Sequence, residues 1–253
     1  MDCVTSSHLP PVFNYLLAAL PEQELRALEP RLQHVLLRPG RPLGAPSYEH
    51  VYFPTAGMVS VHSADRSGVI TELAQVGCEG MVGLPALLGG HSMTLRAIVH
   101  AAGQGYRLRT ADAQAIFAAG GHFQAVILRF ALAFMTQVSQ TAVCNMHHTV
   151  EQQLCRWLLL CLDRLQGDEI EITHEWIANV LGVRRQGVTE AVKRLERRGI
   201  IACRRGHISV LDRYALEKSA CECYSITRQQ TDGLLRGIAD RQPGIQAADA
   251  ATA

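Results

Sequence analysis

Several absences narrow what this chain can be. No apolar run reaches 18 uncharged residues, so a membrane-spanning helix is not expected. The opening residues, MDCVTSSHLPPVF, have no basic stretch followed by an apolar core, so they do not read as a secretory signal, and the expected compartment is the cytoplasm. Eight cysteines, at 3, 78, 144, 155, 161, 203, 221 and 223, follow no regular framework. In a reducing compartment such residues are free thiols rather than disulfides. There is no phosphate loop, no Gly-x-Ser-x-Gly and no carboxylate pair in a glycine-rich β context, so no catalytic residue and no enzyme activity are expected. His62, His91 and His100 are scattered through β-like sequence and read as surface or turn residues.

What is present is an ordinary globular composition, 48% apolar and 19% charged over 253 residues, enough for two modest cores. The most informative stretch runs from Ile172 to Leu211. Thr173 suits a helix N-cap, because its hydroxyl accepts from an orphan backbone N–H. Ile177, Val180 and Leu181 follow on one face, and Gly182 stands where a sharp turn needs positive φ. In a second helix Val188, Ala191, Val192 and Leu195 form the inward stripe. Its other face carries Arg185, Gln186, Thr189, Glu190, Lys193 and Arg197, and Gly199 ends it. A hairpin follows, with a turn at Arg204–Gly206. From Arg184 to Arg213 there are nine basic and three acidic residues, a net of +6 in a chain of +1. A basic module on a mildly acidic body is the footprint of a phosphate binder. The pattern is that of a winged helix-turn-helix whose second helix reads the DNA major groove.

Upstream, short helices are expected around Phe13–Leu20 and after Pro21. From Gln33 the period changes to short β-branched and aromatic runs separated by Gly, Pro and Ser-Asp clusters, so residues 33 to 110 read as an all-β domain. A short helix falls at Ala111–Phe117. No glycine or proline occurs between His122 and Gln166. In the helix that starts there, Phe123, Ile127 or Phe130, Phe134, Val138 and Thr141 or Ala142 trace an apolar stripe; its length and apolarity read as a dimerisation helix, the alternative being that it packs on its own barrel. His147-His148-Thr149 interrupts it, and a helix with Leu154, Trp157, Leu158, Cys161, Leu162 and Leu165 inward leads to the strand EIEI. One last helix is expected from Asp212 or Arg213, with a disordered tail after Gln242.

This order, together with HVYFPTAGMVSV, GCEGMVGLPALLGG, VEQQLCRWLL, RRGHISVLD and CECY, resembles the Crp/Fnr family of bacterial transcription regulators over nearly the whole chain. The resemblance implies an α+β fold: a cyclic-nucleotide-binding-like β-roll over 12–121, a dimerisation helix over 122–148, a winged helix-turn-helix over 149–225, and a helix end with disordered tail over 226–253. It implies a homodimer on double-stranded DNA that engages RNA polymerase and answers an unidentified small-molecule effector, with no membrane role. The family's base-reading positions fall on Arg185, Gln186 and Glu190, suited to guanine, adenine and a cytosine amino group respectively. Arg184 and Thr189 are placed for phosphate or edge contacts, and Lys193, Arg204, Arg205 and His207 for phosphates. Gly187 either lets the backbone approach DNA closely or only avoids a clash.

In the effector region this sequence departs from the family pattern. Val82 or Gly83 stands near the position of the glutamate that would hold a ribose hydroxyl, and no serine follows Arg96. Gly83, Gly89, Gly90 and Arg96 remain the candidate effector set, and cyclic AMP is not expected. With only Cys3 near the start, the oxygen sensors' N-terminal iron–sulfur cluster is not expected either, and no cofactor is assigned. Cys144, His147 and His148, with Cys221 and Cys223 as distant partners, offer a metal set of unfamiliar spacing, and a packing role at the helix junction is expected instead. Two alternatives stay open: a metal- or redox-responsive sensor built on Cys144, His147 and His148, and a small-molecule-binding module with weak DNA binding.

Overall fold

The computed structural model describes residues 9–44, 48–64, 70–90 and 95–239. Two short helices come first, α1 (Tyr15–Ala18) and α2 (Glu22–Leu28), with the buried Asn14 capping α1 by accepting from the N–H groups of Leu16 and Leu17. Five strands then build an antiparallel sheet: β1 (Gln33–Leu37), β2 (Pro42–Leu43), β3 (His50–Ala64), β4 (Ile70–Val76) and β5 (Leu95–Arg109). Their order is β1-β5-β3-β4, with β2 also on β5. The one-turn helix α3 (Leu84–Leu87) lies between β4 and β5. The long strands β3 and β5 shift register between Pro54 and Val59. Gly57 there has φ +84°, and a Cβ on Gly103 would lie 2.0 Å from the Ala56 carbonyl oxygen. Only glycine permits that close approach, and the resulting bulges bend the ribbon into a roll.

Helix α4 (Thr110–Ala118) leads into the 27-residue α5 (Gly121–His147). The stripe picked out in sequence faces the chain's own β-domain, the alternative that stands beside the dimer reading. Phe123, Val126, Ile127 and Phe130 are buried in the core with Phe53, Val59 and Leu108. Further along, Gln137 accepts from the Gln75 backbone N–H (2.8 Å) and donates to its carbonyl (3.1 Å), while the Thr141 hydroxyl donates to Leu73 O (2.9 Å). A different stripe, Leu128, Leu132, Met135, Val143 and Met146, is exposed. By length and composition alone α5 could cross a membrane. Its inward stripe is packed on the β-domain instead.

The C-terminal half comprises α6 (Val150–Leu162), β6 (Glu169–Glu171), α7 (His174–Leu181), α8 (Arg185–Arg197), β7 (Ile201–Arg204), β8 (His207–Val210), α9 (Arg213–Ser219) and α10 (Glu222–Ala239). Thr149 and Gln152 form a reciprocal capping box at the start of α6, which explains the break after His148. The small sheet has the order β6-β8-β7. Where one last helix was expected there are two, because the backbone is extended at Ala220. Helix α10 runs through the expected 225/226 boundary and returns along α5, placing Leu234 in the N-terminal core. The expected tail beyond residue 239 lies outside the described residues, as does Cys3. The seven described cysteines are free.

The two halves meet around four rings. His62 and His100 of the β-domain face the chain's two tryptophans, with His100 4.4 Å from Trp176 and 5.7 Å from Trp157, and His62 6.1 Å from Trp176. The Trp157 indole also donates to Glu72 (2.7 Å), a fully buried carboxyl that accepts from Ser60 and Gln75 as well and is pushed up by burial. Neither ring nitrogen of His62 has a hydrogen-bond partner. The two histidines are therefore not surface or turn residues, and burial lowers both to about 4. His91 lies outside the described residues.

Candidate nucleic-acid interface

The interface is built by local rules. The Thr173 hydroxyl accepts from the Trp176 N–H (3.2 Å) and so starts α7. Gly182, at φ 66°, ends α7 in the left-handed conformation that a β-carbon would disfavour. Helix α8 then buries Val188, Ala191, Val192 and Leu195. Because that stripe occupies one side, α8 turns Arg185, Gln186, Glu190, Lys193 and Arg197 to solvent, with Arg184 exposed at its N-cap. Thr189 is half-buried; its hydroxyl donates to Arg185 O (3.1 Å) and lies 3.4 Å from His174 Nδ1. The predicted reading residues are already braced by carboxylates. Arg185 Nε is 3.6 Å from Glu175, and Gln186 Nε2 donates to Glu190 at 3.0 Å. One bond to Glu190 leaves the Gln186 amide oxygen and a second N–H free for a base edge.

Apart from Arg185, which lies beside Glu175, the other eight of the nine basic residues counted in sequence divide into two groups. Arg194 and Arg198 share Glu151 of α6 at 2.6 and 2.9 Å, and Arg213 is held by Asp163 and Glu217. These three fasten the domain together. Arg184, Lys193, Arg197, Arg204 and Arg205 make no ion pair among the described residues and leave their charge to solvent. His207 is half-buried and 3.5 Å from Glu169. Arg205 and His207 border a cleft of 880 Å³ whose other wall includes Gly57, His100 and Ala102 of the β-domain. The wing residues thus face that cleft as well as open solvent, whereas the α8 set forms one continuous face. A Cβ on Gly187 would sit 3.7 Å from Val150, an ordinary contact on the side of α8 turned to α6. Avoidance of a clash within the chain therefore does not account for the glycine.

The candidate effector residues are not brought together. Arg96 is exposed on the face of β5 opposite the core residues Ala97 and Val99. Gly83 is buried against Val51 and Tyr48 at the start of α3, while Gly89 and Gly90 are exposed at its end. The cysteine and histidine candidates behave differently. Cys144, His148, Cys221 and Cys223 converge, whereas His147 is exposed and lies outside the group. Sequence reasoning missed the His62–His100–Trp157–Trp176 contact altogether, since nothing local ties four rings from different elements.

Comparison with known proteins agrees with this geometry. Residues 152–219 match the family model of the Crp-like helix-turn-helix domain. No curated protein matches the chain by sequence. Among solved structures, a Crp/Fnr-family transcriptional regulator from Eubacterium rectale, described as putative, aligns with TM-score 0.65 at 17% identity, over 85% of this chain and 99% of that one. FixK2 from Bradyrhizobium japonicum aligns with TM-score 0.64 at 15% identity, over 75% and 98%. A CRP-family transcriptional regulator from Thermus thermophilus aligns with TM-score 0.60 at 21% identity, over 74% and 96%. These identities speak to the fold, and the matched domain speaks to DNA binding. Residues 152–219 are thus a Crp-like helix-turn-helix domain, set in a chain whose fold is shared with solved regulators of the Crp/Fnr family.

Proposed function

We propose that this protein is a cytoplasmic homodimer that binds a two-fold-related DNA site through α8 and answers a small-molecule signal at its β-domain. The observation that carries the reading is the exposed α8 face, where Arg185, Gln186 and Glu190 stand free of the domain core within a Crp-like helix-turn-helix. Arg185 reads guanine O6 and N7, Gln186 reads adenine, and Glu190 both orients Gln186 and accepts from a cytosine amino group. Arg184, Thr189, Lys193, Arg204 and Arg205 contact phosphates, which fix register without specifying sequence. His207 contributes least, because Glu169 already engages it.

The dimer follows from the outward stripe of α5. Leu128, Leu132 and Met135 stand at the four- and three-residue intervals of a coiled-coil seam, Met146 falls on the same face further along, and all are left uncovered by the chain's own core. Two such helices side by side bury that seam and set two α8 helices on one face of the duplex. Contact with RNA polymerase, raising or lowering transcription, completes the reading.

Titration with a duplex selected from a random pool tests it. Affinity should fall steeply, about 10³-fold or more between roughly 50 and 200 mM salt, for a dimer making several phosphate contacts. Absence of binding to any selected duplex at the lower salt would overturn the proposal.

A further inference from the structure

We propose that Cys144, His148, Cys221 and Cys223 form a mononuclear tetrahedral zinc site that clips the end of α5 to the start of α10. Cys144 comes from the last turn of α5, His148 from the residue that ends it, and the two C-terminal cysteines from the α9–α10 junction. Four ligand atoms from parts of the chain 77 residues apart lie within 4.8 Å of one another. Cys144 Sγ is 3.5 Å from Cys221 Sγ, and Cys223 Sγ is 3.6 Å from His148 Nδ1. A zinc ion with bonds of about 2.3 Å to sulfur and about 2.0 Å to nitrogen spans tetrahedral edges of about 3.8 Å between sulfurs and about 3.5 Å between sulfur and nitrogen. These two separations fit those edges to within a few tenths of an ångström, and all six lie within 4.8 Å. A disulfide, in contrast, needs about 2.05 Å between sulfurs and would engage only two of the four groups.

Two further observations point to an ion. The first concerns the far side of the imidazole. His148 Nδ1 faces the sulfurs, while its Nε2 lies 3.4 Å from the Glu222 carboxylate. That is the arrangement in which a carboxylate fixes the tautomer of a metal-bound histidine and raises its basicity. Glu222 stands between the two cysteines in sequence, so the Cys-Glu-Cys run supplies two ligands and the group that orients a third.

The second concerns charge. Arg156 is 5% exposed, its Nε has no hydrogen-bond partner, and it lies within electrostatic range of all three cysteines. The other group in range, Glu72, is occupied by Ser60, Gln75 and Trp157. Three thiolates and a neutral imidazole around a divalent ion carry a net charge of −1, and Arg156 cancels it. Three neutral thiols offer this buried cation no such compensation. Thiolate-rich sets favour zinc among the common divalent ions, and four protein ligands leave no open position, so the site is structural rather than catalytic.

Gln153 supports the same junction, donating to the carbonyls of His148 (2.9 Å) and Cys144 (3.3 Å). The clip therefore holds the point where the dimerisation helix hands over to the DNA-binding half. It bears on the orientation of α8 relative to the dimer axis, although its existence does not depend on DNA binding.

Elemental analysis of the full chain, purified under reducing conditions without chelator or a histidine tag, should find about one zinc per chain. Metal-free protein given cobalt(II) should develop the intense visible bands of tetrahedral coordination together with thiolate charge-transfer absorption. Cys223→Ser and His148→Ala should lose that spectrum, while Cys203→Ser, altered at a half-buried cysteine on β7, should keep it. Glu222→Gln should bind cobalt about 10- to 100-fold more weakly. Folded wild-type protein with no zinc and no tetrahedral cobalt spectrum would overturn the site. So would a mass two hydrogens lower in metal-free protein that persists under reductant, which would assign Cys144 and Cys221 to a disulfide. All these readouts are taken without DNA, so they stand apart from any failure of the DNA-binding proposal.

Discussion

Helices α5 and α8 solve the same packing problem and leave opposite remainders. Each buries one apolar stripe within its own chain: Phe123, Ile127 and Phe130 in α5, and Val188, Ala191, Val192 and Leu195 in α8. The uncovered face of α8 is charged and amide-bearing, while that of α5 is Leu128, Leu132, Met135 and Met146. A face of arginine, lysine and glutamine gains little from burial against another apolar surface and much from phosphate and base edges. A face of leucine and methionine gains only by leaving water. The buried stripe tells how a helix is held, and the remaining face tells what it meets.

The largest effect should come from putting charge into the apolar remainder. Leu132→Asp buries an unpaired carboxylate in the proposed seam, at about 3–5 kcal/mol. Sedimentation should show a monomer with unchanged helicity, and DNA affinity should collapse with it. If the dimer survives, the seam lies elsewhere.

Helices α5 and α8 keep a fixed relation through the rings that join the two halves. His62 and His100 titrate near 4 in the folded chain and near 6.5 when unfolded, so their contribution is complete above about 6.5 and is lost as pH falls through that range. At pH 5 the loss is about 2 kcal/mol for each histidine. Both tryptophans of the chain lie in this contact, so acidification should move the intrinsic emission to longer wavelength. His62→Leu should flatten that dependence.

Smaller effects separate roles within the α8 face. Arg185→Ala should cost about 1–3 kcal/mol and relax preference at one base pair, while Lys193→Ala should weaken all sequences alike and lower the salt slope by about one. Equal behaviour of the two would erase the division between reading and positioning. Smallest is Gly187→Ala. Its new methyl meets Val150 at an ordinary distance, so folding should gain up to about 1 kcal/mol from helix propensity with DNA affinity unchanged. A large loss of affinity would show that the backbone at Gly187 approaches DNA closely after all.

How far the sequence could be read follows the same contrast. Thr173, Gly182, Gly199 and the α8 stripe act within a turn or two of themselves, and the structure has them where their chemistry predicts. Helix α5 is apolar on two sides, so periodicity alone does not say which stripe packs at home and which is left for a partner. Counting charge from Arg184 to Arg213 could not reveal that Glu151, more than 40 residues from Arg194, claims two of those arginines. Cys144 and Cys221 meet only because α10 turns back along α5, and the extended backbone at Ala220 that permits this falls inside a continuous helical pattern. Arg96 is close to its family position in sequence, yet strand alternation turns it away from the core side of the sheet.

The most direct test of the central claim is the architecture of the DNA site itself. Duplexes selected by the full chain from a random pool should contain two inverted half-sites whose centres are about 34–36 Å apart, one helical turn, bound by two chains. Recovery of a single unrepeated site occupied by one chain would contradict the account, since α8 would then be reading DNA without the pairing that α5 is proposed to impose.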